Sequence, residues 1–194
     1  MSRTPVTIFS DLTCPYSYVT EAALWPMADA GRIELRFRAY ELHPGPDAAP
    51  APSAEPGWQD DIAPLARALG LTLTAPSFRP RTAKAHEALR FARSHHREIA
   101  LRRAIFAAYW ANGEDIGRID VLARLAEGAS LDPEALRIEL DIDLHLEAVR
   151  NDRELASRLR VPGAPTLFVG EGRDARILVG AASLQTLDEA LAGR

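Results

Sequence analysis

The chain has 194 residues, 47% of them hydrophobic, enough for a sizeable core in one domain or one domain with an insertion. Its 23 Lys and Arg against 27 Asp and Glu leave a formal net charge of −4, and there is no long basic run, which argues against nucleic acid as a main partner. No apolar stretch is long enough to span a bilayer, so a membrane partner is not expected.

The first residues, Met1-Ser2-Arg3-Thr4-Pro5, lack the apolar segment and small-residue cleavage site of a signal peptide, so a cytoplasmic location is the expectation. Val6-Thr7-Ile8-Phe9 is a short β-branched and aromatic run bounded by Pro5 and Ser10-Asp11, and predicts a buried strand. Residues 15–30 predict a helix that stops near Gly31, with a kink or early break at Pro26. Residues 33–40 alternate apolar and polar, a second strand with one wetter face. Strand, helix and strand in succession predict a right-handed parallel βαβ unit.

Residues 44–56 are rich in Pro and Ala and read as a loop. The stretch 57–159 is almost wholly helical by pattern. Helices are expected over 82–95, 98–111 and 120–127, the last capped by Asp120. Asp132-Pro133-Glu134 is a strong helix start, and 143–159 forms the last helix of the block. Val161-Pro162-Gly163-Ala164-Pro165 is a tight turn before the strand Thr166-Leu167-Phe168-Val169. A polar turn then leads to a strand over 175–179, paired antiparallel, and to a final helix over 183–192 capped by Ser183.

The order is therefore βαβ, a helical block, then ββα. The strands at the two ends satisfy their edges by joining one sheet. This predicts a discontinuous α/β domain, 1–56 and 160–194, with 57–159 as a helical insertion whose last helix is free to return to the first domain.

Cys14 is the only cysteine, so it has no disulfide partner within the chain. It falls where the first strand meets the first helix. A helix N-terminus stabilises a thiolate, the nucleophilic form of cysteine, and Pro15 suits the first turn. These features predict a partly accessible thiol titrating below the ordinary value of roughly 8.5. Ser17, three residues on, shares a helix face with the sulfur and can donate to it. Tyr16 is expected at the rim and Tyr18 in the core. Asp11 can hold the turn, and its negative charge would oppose thiolate formation. His95-His96 reads as a solvated helix face, and His86 and His145 as surface or partly buried helix residues. No Cys or His spacing makes a metal site, and no Gly-rich phosphate loop suggests a nucleotide cofactor.

Two motifs carry a family resemblance that covers essentially the whole chain. Cys14-Pro15-Tyr16-Ser17 is placed like a redox-active Cys-x-x-Cys, and Val161-Pro162-Gly163-Ala164-Pro165-Thr166 looks like a cis-proline loop. The chain thus resembles the DsbA family, which implies a thioredoxin fold with an inserted helical domain. Leu42-His43-Pro44, Tyr109-Trp110 and Gly180-Ala181 are similar to the FrnE-type branch and to its relatives, the kappa-class glutathione transferases and 2-hydroxychromene-2-carboxylate isomerases. The family's second cysteine is replaced here by Ser17, while the isomerase branch typically begins its motif with Ser where this chain has Cys14.

The resemblance implies a thiol–disulfide oxidoreductase working through Cys14 and Ser17. Pro15, Tyr16, Ala164 and Pro165 would bind substrate, with a cis Ala164-Pro165 bond facing Cys14. It implies no bound cofactor, glutathione or another low-molecular-weight thiol as co-substrate, and a disulfide-containing small molecule or protein as partner. A glutathione-dependent isomerase or transferase and a redox-silent binding protein are the alternatives. The oligomeric state, a homodimer included, is left open.

Overall fold

The computed structural model describes residues 3–44, 49–50, 58–74 and 76–192. Strand β1 (Thr4–Ser10) leads into helix α1 (Pro15–Asp29) and strand β2 (Ile33–Ala39). The two strands run parallel, with Val6 opposite Leu35 and Ile8 opposite Phe37. The short pair β3 (Ala49–Pro50) and β4 (Phe78–Arg79) flanks helix α2 (Trp58–Ala68) in sequence. Helices α3 (Ala83–Ser94), α4 (Glu98–Trp110), α5 (Ile119–Gly128), α6 (Pro133–Asp141) and α7 (Leu146–Arg158) follow. Strands β5 (Thr166–Val169) and β6 (Arg176–Val179) and helix α8 (Leu184–Ala192) close the chain. The main sheet has the order β2-β1-β5-β6, with β5 antiparallel to both neighbours. This is the thioredoxin topology.

Side chains alternate across a strand, so one face of the sheet is set by every second residue. Val6 and Ile8 of β1, Ile33 and Phe37 of β2, and Leu167 and Val169 of β5 form one core with Ala23, Leu24 and Met27 of α1 and Leu187 of α8. A second core gathers Tyr18, Val19, Ala22 and Trp25 of α1 with the apolar faces of α2 to α6. Helix α1 is thus packed from two sides. From Ser17 to Trp25 every residue is buried, which is why its sequence shows no clean polar stripe.

A charged pair locks these parts together. Arg102 of α4 donates to both carboxylate oxygens of Glu21 at 2.6 Å and to Ser10 Oγ at 2.7 Å. Its guanidinium lies 4.1 Å from the centre of the Phe37 ring. A second carboxylate, Asp152 of α7, accepts from the Ala39 N–H at 2.8 Å, from Arg38 at 3.1 Å and from Arg90 of α3.

Several expectations are corrected. Pro26 does not break α1, which runs on to Asp29; its ring is on the exposed side, where the lost backbone bond can be met by water. Asp120 is not the cap of α5. Arg118 is at that position and Asp120 sits in the first turn, paired with Arg118 at 2.9 Å. His86 is deeply buried, 3% exposed, and burial together with Arg102 and Arg90 pushes it down to about 3, so it stays neutral. The stretch 44–56, read as a loop, lies mostly outside the described residues, although Ala49–Pro50 forms β3. Asp132 and Ser183 do act as caps, accepting from Glu134 N and Ala135 N and from Thr186 N.

Replacing Arg102 with Met should destabilise the fold by about 3–5 kcal/mol, because Glu21 is then left as an unpaired buried carboxylate. Adding Glu21→Leu should restore much of that loss. Urea unfolding of the two variants beside the parent checks it, and an Arg102→Met variant as stable as the parent would count against the pair as a lock.

Candidate active site

The site forms where β1 ends. Ser10 is the last strand residue, and Asp11 turns the chain into α1. One Asp11 carboxylate oxygen accepts from the Thr13 N–H at 3.0 Å and the Thr13 hydroxyl at 3.2 Å, an Asx-type turn. The other accepts from the Leu42 N–H at 2.6 Å, beyond the end of β2. Asp11 therefore ties the Cys14 turn to the loop that carries His43.

Cys14 is the N-cap of α1, with extended backbone (φ −93°, ψ 116°). Its sulfur accepts from the Ser17 N–H at 3.4 Å, satisfying one of the helix's free amides. Pro15 follows at the first helical position, where no N–H is required. Ser17 is fully buried, and its hydroxyl accepts from the Asp11 N–H at 3.4 Å. Across the site the Cys14 thiol donates to the Ala164 carbonyl at 3.3 Å. The Ala164-Pro165 bond is cis, and the turn is shaped by the Thr166 hydroxyl on the Gly163 carbonyl at 2.7 Å. Pro165 O accepts from Gly180 N at 2.9 Å, which anchors the turn to the end of β6.

The structure thus brings Cys14, Pro15, Ser17, Ala164 and Pro165 together. Tyr16 points outward from them and donates to Asp61 of α2 at 3.0 Å. Tyr18 is in the core, stacked on Phe106 with ring centres 4.8 Å apart. Trp110 donates to the Leu12 carbonyl at 3.1 Å, so α4 supports the Cys14 turn from behind. Tyr109 donates to the Phe78 carbonyl at 3.0 Å and holds β4 beside the same turn.

The expected accessible, low-pKa thiol is not what the geometry provides. Cys14 is only 3% exposed. Burial pushes its pKa up to about 11, with the nearby Asp11 charge adding to the rise, while the hydroxyl and N–H of Ser17 pull the other way. The sequence revealed the helix end that favours a thiolate. It did not reveal that a turn 150 residues away covers the sulfur. Asp11 is itself fully buried, and desolvation raises its pKa despite three donors. Glu21 and Arg102 lie outside the residues singled out from sequence, and His86 reads there only as a surface or partly buried helix residue. The available signal was Glu21 inside an apolar run that the helix buries on all sides.

Three surface grooves do not include Cys14. The largest, about 350 Å³, lies at the opposite end of the sheet and is lined by Thr4, Gly170 and Arg176 among others. A groove of about 250 Å³ between β5 and α7 also opens at that end, and one of about 270 Å³ runs along α2.

A thioredoxin sheet with a helix-capping cysteine facing a cis-proline turn defines a class of thiol–disulfide oxidoreductases. A family model described as a DSBA-like thioredoxin domain matches residues 5–192, and the chain belongs to that family. Among solved structures, it is similar to a probable DsbA oxidoreductase from Streptomyces coelicolor, with 27% identity, TM-score 0.83, and coverage of 99% of this chain and 92% of the other. A 2-hydroxychromene-2-carboxylate isomerase matches at 19% identity and TM-score 0.79, covering 97% and 94%. The cytosolic disulfide reductase DsbM from Pseudomonas aeruginosa matches at 18% identity and TM-score 0.75, covering 97% and 95%. The last two likenesses show a shared fold. No described helix is long and apolar enough to cross a membrane.

Asp11→Asn should lower the Cys14 pKa, because the like charge is removed while a turn-forming side chain is kept. Thiolate absorbance against pH measures it, and an unchanged midpoint would show that Asp11 acts only on the turn. Stability carries a matching signature. A thiol whose folded pKa is raised to about 11 binds its proton more tightly than the unfolded chain, whose cysteine titrates at roughly 8.5. Its stabilising contribution is full below roughly 8.5 and is lost as pH rises toward 11. The unfolding free energy of the parent relative to Cys14→Ala should fall across that window.

Proposed function

We propose that this protein is a monothiol member of the family: Cys14 attacks a disulfide and an external thiol resolves the product. The carrying observation is the Cys14 sulfur at the α1 N-terminus, bonded to Ser17 N–H and facing the Ala164 carbonyl, with Ser17 where a resolving cysteine would be. In the first step the Cys14 thiolate bonds to one sulfur of the disulfide and breaks its S–S bond. The second sulfur leaves as a thiolate, and the Cys14 proton has gone to solvent. In the second step a low-molecular-weight thiolate such as that of glutathione attacks the mixed disulfide. Cys14 is released reduced, and the new disulfide carries away the oxidation. Electrons balance over the cycle without a second protein thiol.

Within this reading each site residue has a role. Cys14 is the nucleophile and Ser17 stabilises its anion. Pro15 starts the helix whose dipole faces the sulfur, and Tyr16 borders the approach. Ala164 and Pro165 present backbone to the substrate. The partner is a disulfide-containing small molecule or protein, and the expected location is the cytoplasm.

The buried, high-pKa thiol also favours a second reading. At neutral pH Cys14 stays a donor, as a serine hydroxyl would at this position, and so suits orienting a bound glutathione thiolate for isomerisation or transfer on an aromatic substrate.

Incubation with oxidised glutathione should add one glutathionyl group, seen by intact mass, in the parent and none in Cys14→Ser. The rate should rise about tenfold per pH unit through the neutral range, because only the thiolate reacts. Ser17→Cys should convert the single-thiol site into one that closes an internal disulfide. If Cys14→Ser keeps full isomerase or transferase turnover while the parent shows no exchange, the second reading replaces the first.

A further inference from the structure

The monothiol cycle needs a small thiol or disulfide held with one sulfur over Cys14, and the lip of the site carries a cation suited to the other end of that molecule. Two tethers build this lip. Asp11 fixes the loop after β2 through Leu42 N, which places His43 at the edge. Tyr109 fixes β4 through the Phe78 carbonyl, with its ring edge-on to Phe78 at 6.5 Å between centres, and Arg79 is the next residue of that strand. The two side chains are close enough that Arg79 opposes protonation of His43, and Arg79 also acts on the Tyr109 hydroxyl.

Arg79 is partly buried, yet its side chain makes no ion pair or hydrogen bond with the described residues. Two other arginines near the loop after β2 differ. Arg81 and Arg153 both face Glu41, whose carboxylate offsets them. Among the described residues Asp11 acts on His43 and Tyr109 as Arg79 does, but it is fully buried and already accepts from Thr13 and Leu42. A guanidinium with five donors, partly desolvated and without a counter-ion among the described residues, is a strong and directional carboxylate receptor.

We propose that Arg79, with His43 beside it, is a docking subsite for a carboxylate on the small thiol or disulfide that reacts at Cys14. The site then selects anionic over neutral and cationic co-substrates. This rests on Cys14 being the reacting thiol. The subsite contributes binding and orientation and takes no part in bond exchange.

The test compares two small symmetrical disulfides, the dianion dithiodipropionate and the neutral hydroxyethyl disulfide. Mixed-disulfide formation at Cys14 is followed by intact mass. In the parent the anionic probe should react faster, and its advantage should shrink as salt is added. Arg79→Ala should reduce the ratio of the two rates about tenfold, the scale of one charge-assisted hydrogen bond, and Arg79→Glu should reduce it further. Arg137→Ala on α6 should leave the ratio unchanged. Using the ratio removes any effect of a variant on folding or on the thiol itself. A parent with no anionic preference, or an Arg79→Ala variant that keeps it, would overturn the subsite while leaving the Cys14 reading intact. If neither disulfide reacts at any pH, the Cys14 reading fails, and the subsite is judged by calorimetric binding of the unreactive thioether thiodipropionate. Binding weakened about tenfold by Arg79→Ala supports the subsite. Equal binding by parent and variant, or no binding to the parent, overturns it.

Discussion

The bidentate pair between Glu21 and Arg102 is the constraint on which the active end of the molecule depends. It joins α1 to α4, and the same guanidinium reaches Ser10 at the end of β1 and lies over Phe37 of β2. Four elements therefore meet at one buried charge. Such a pair gains little net stability over a hydrophobic equivalent, because two ions must be desolvated. Its geometry is nonetheless demanding. Arg102 can satisfy its donors only when the strand end, the helix and the neighbouring strand are all in register, and that register is what delivers Asp11 and Cys14 to the start of α1. His86 lies close enough to feel the same positive charge and is held neutral, so it adds no further charge to this part of the interior.

At the sulfur, two opposing influences meet. The helix end and the Ser17 groups favour the anion, while burial and the Asp11 charge favour the thiol. Burial prevails in the resting protein. Thiolate character would rise when a substrate displaces the Cys14–Ala164 contact, because the carbonyl oxygen that now accepts the thiol proton would face an anion unfavourably. Asp11 combines both sides of this balance. Its hydrogen bonds shape the turn that positions the sulfur, and its charge resists the ionisation that the turn's location promotes.

Much of the fold was legible in the chain. β-Branched runs bounded by polar turns marked β1 and β5, alternation marked β2, and Asp132-Pro133 and Ser183 marked two helix starts. The parallel β1–β2 and antiparallel β5–β6 pairings followed from the lengths of the connections. The site was legible as two short motifs around Cys14 and Pro165, which the fold brings to 3.3 Å between sulfur and carbonyl oxygen. What sequence did not convey was depth. The exposure of Cys14, the burial of His86 and the engagement of Glu21 and Arg102 all depend on how distant segments stack, and local pattern carries no measure of that. Pro26 failed as a helix breaker for a related reason. Tertiary packing on the buried side of α1 outweighs one lost backbone bond on the exposed side.

The double packing of α1 also has a mechanical meaning. One side of the helix belongs to the sheet core and the other to the helical core, so it acts as a shared wall between them. A swinging separation of the two cores would have to peel one full set of side chains from α1, at a cost far beyond thermal energy. Motion that admits a substrate is therefore confined to what borders the wall's tip: the Ala164-Pro165 turn, the loop after β2, and the Tyr16–Asp61 contact. The cysteine rides on a helix packed from both sides, and the parts left to yield are the loops around it. In kinetic terms the protein behaves as a rigid post with a pliable collar, and the rate of access to sulfur is a property of the collar.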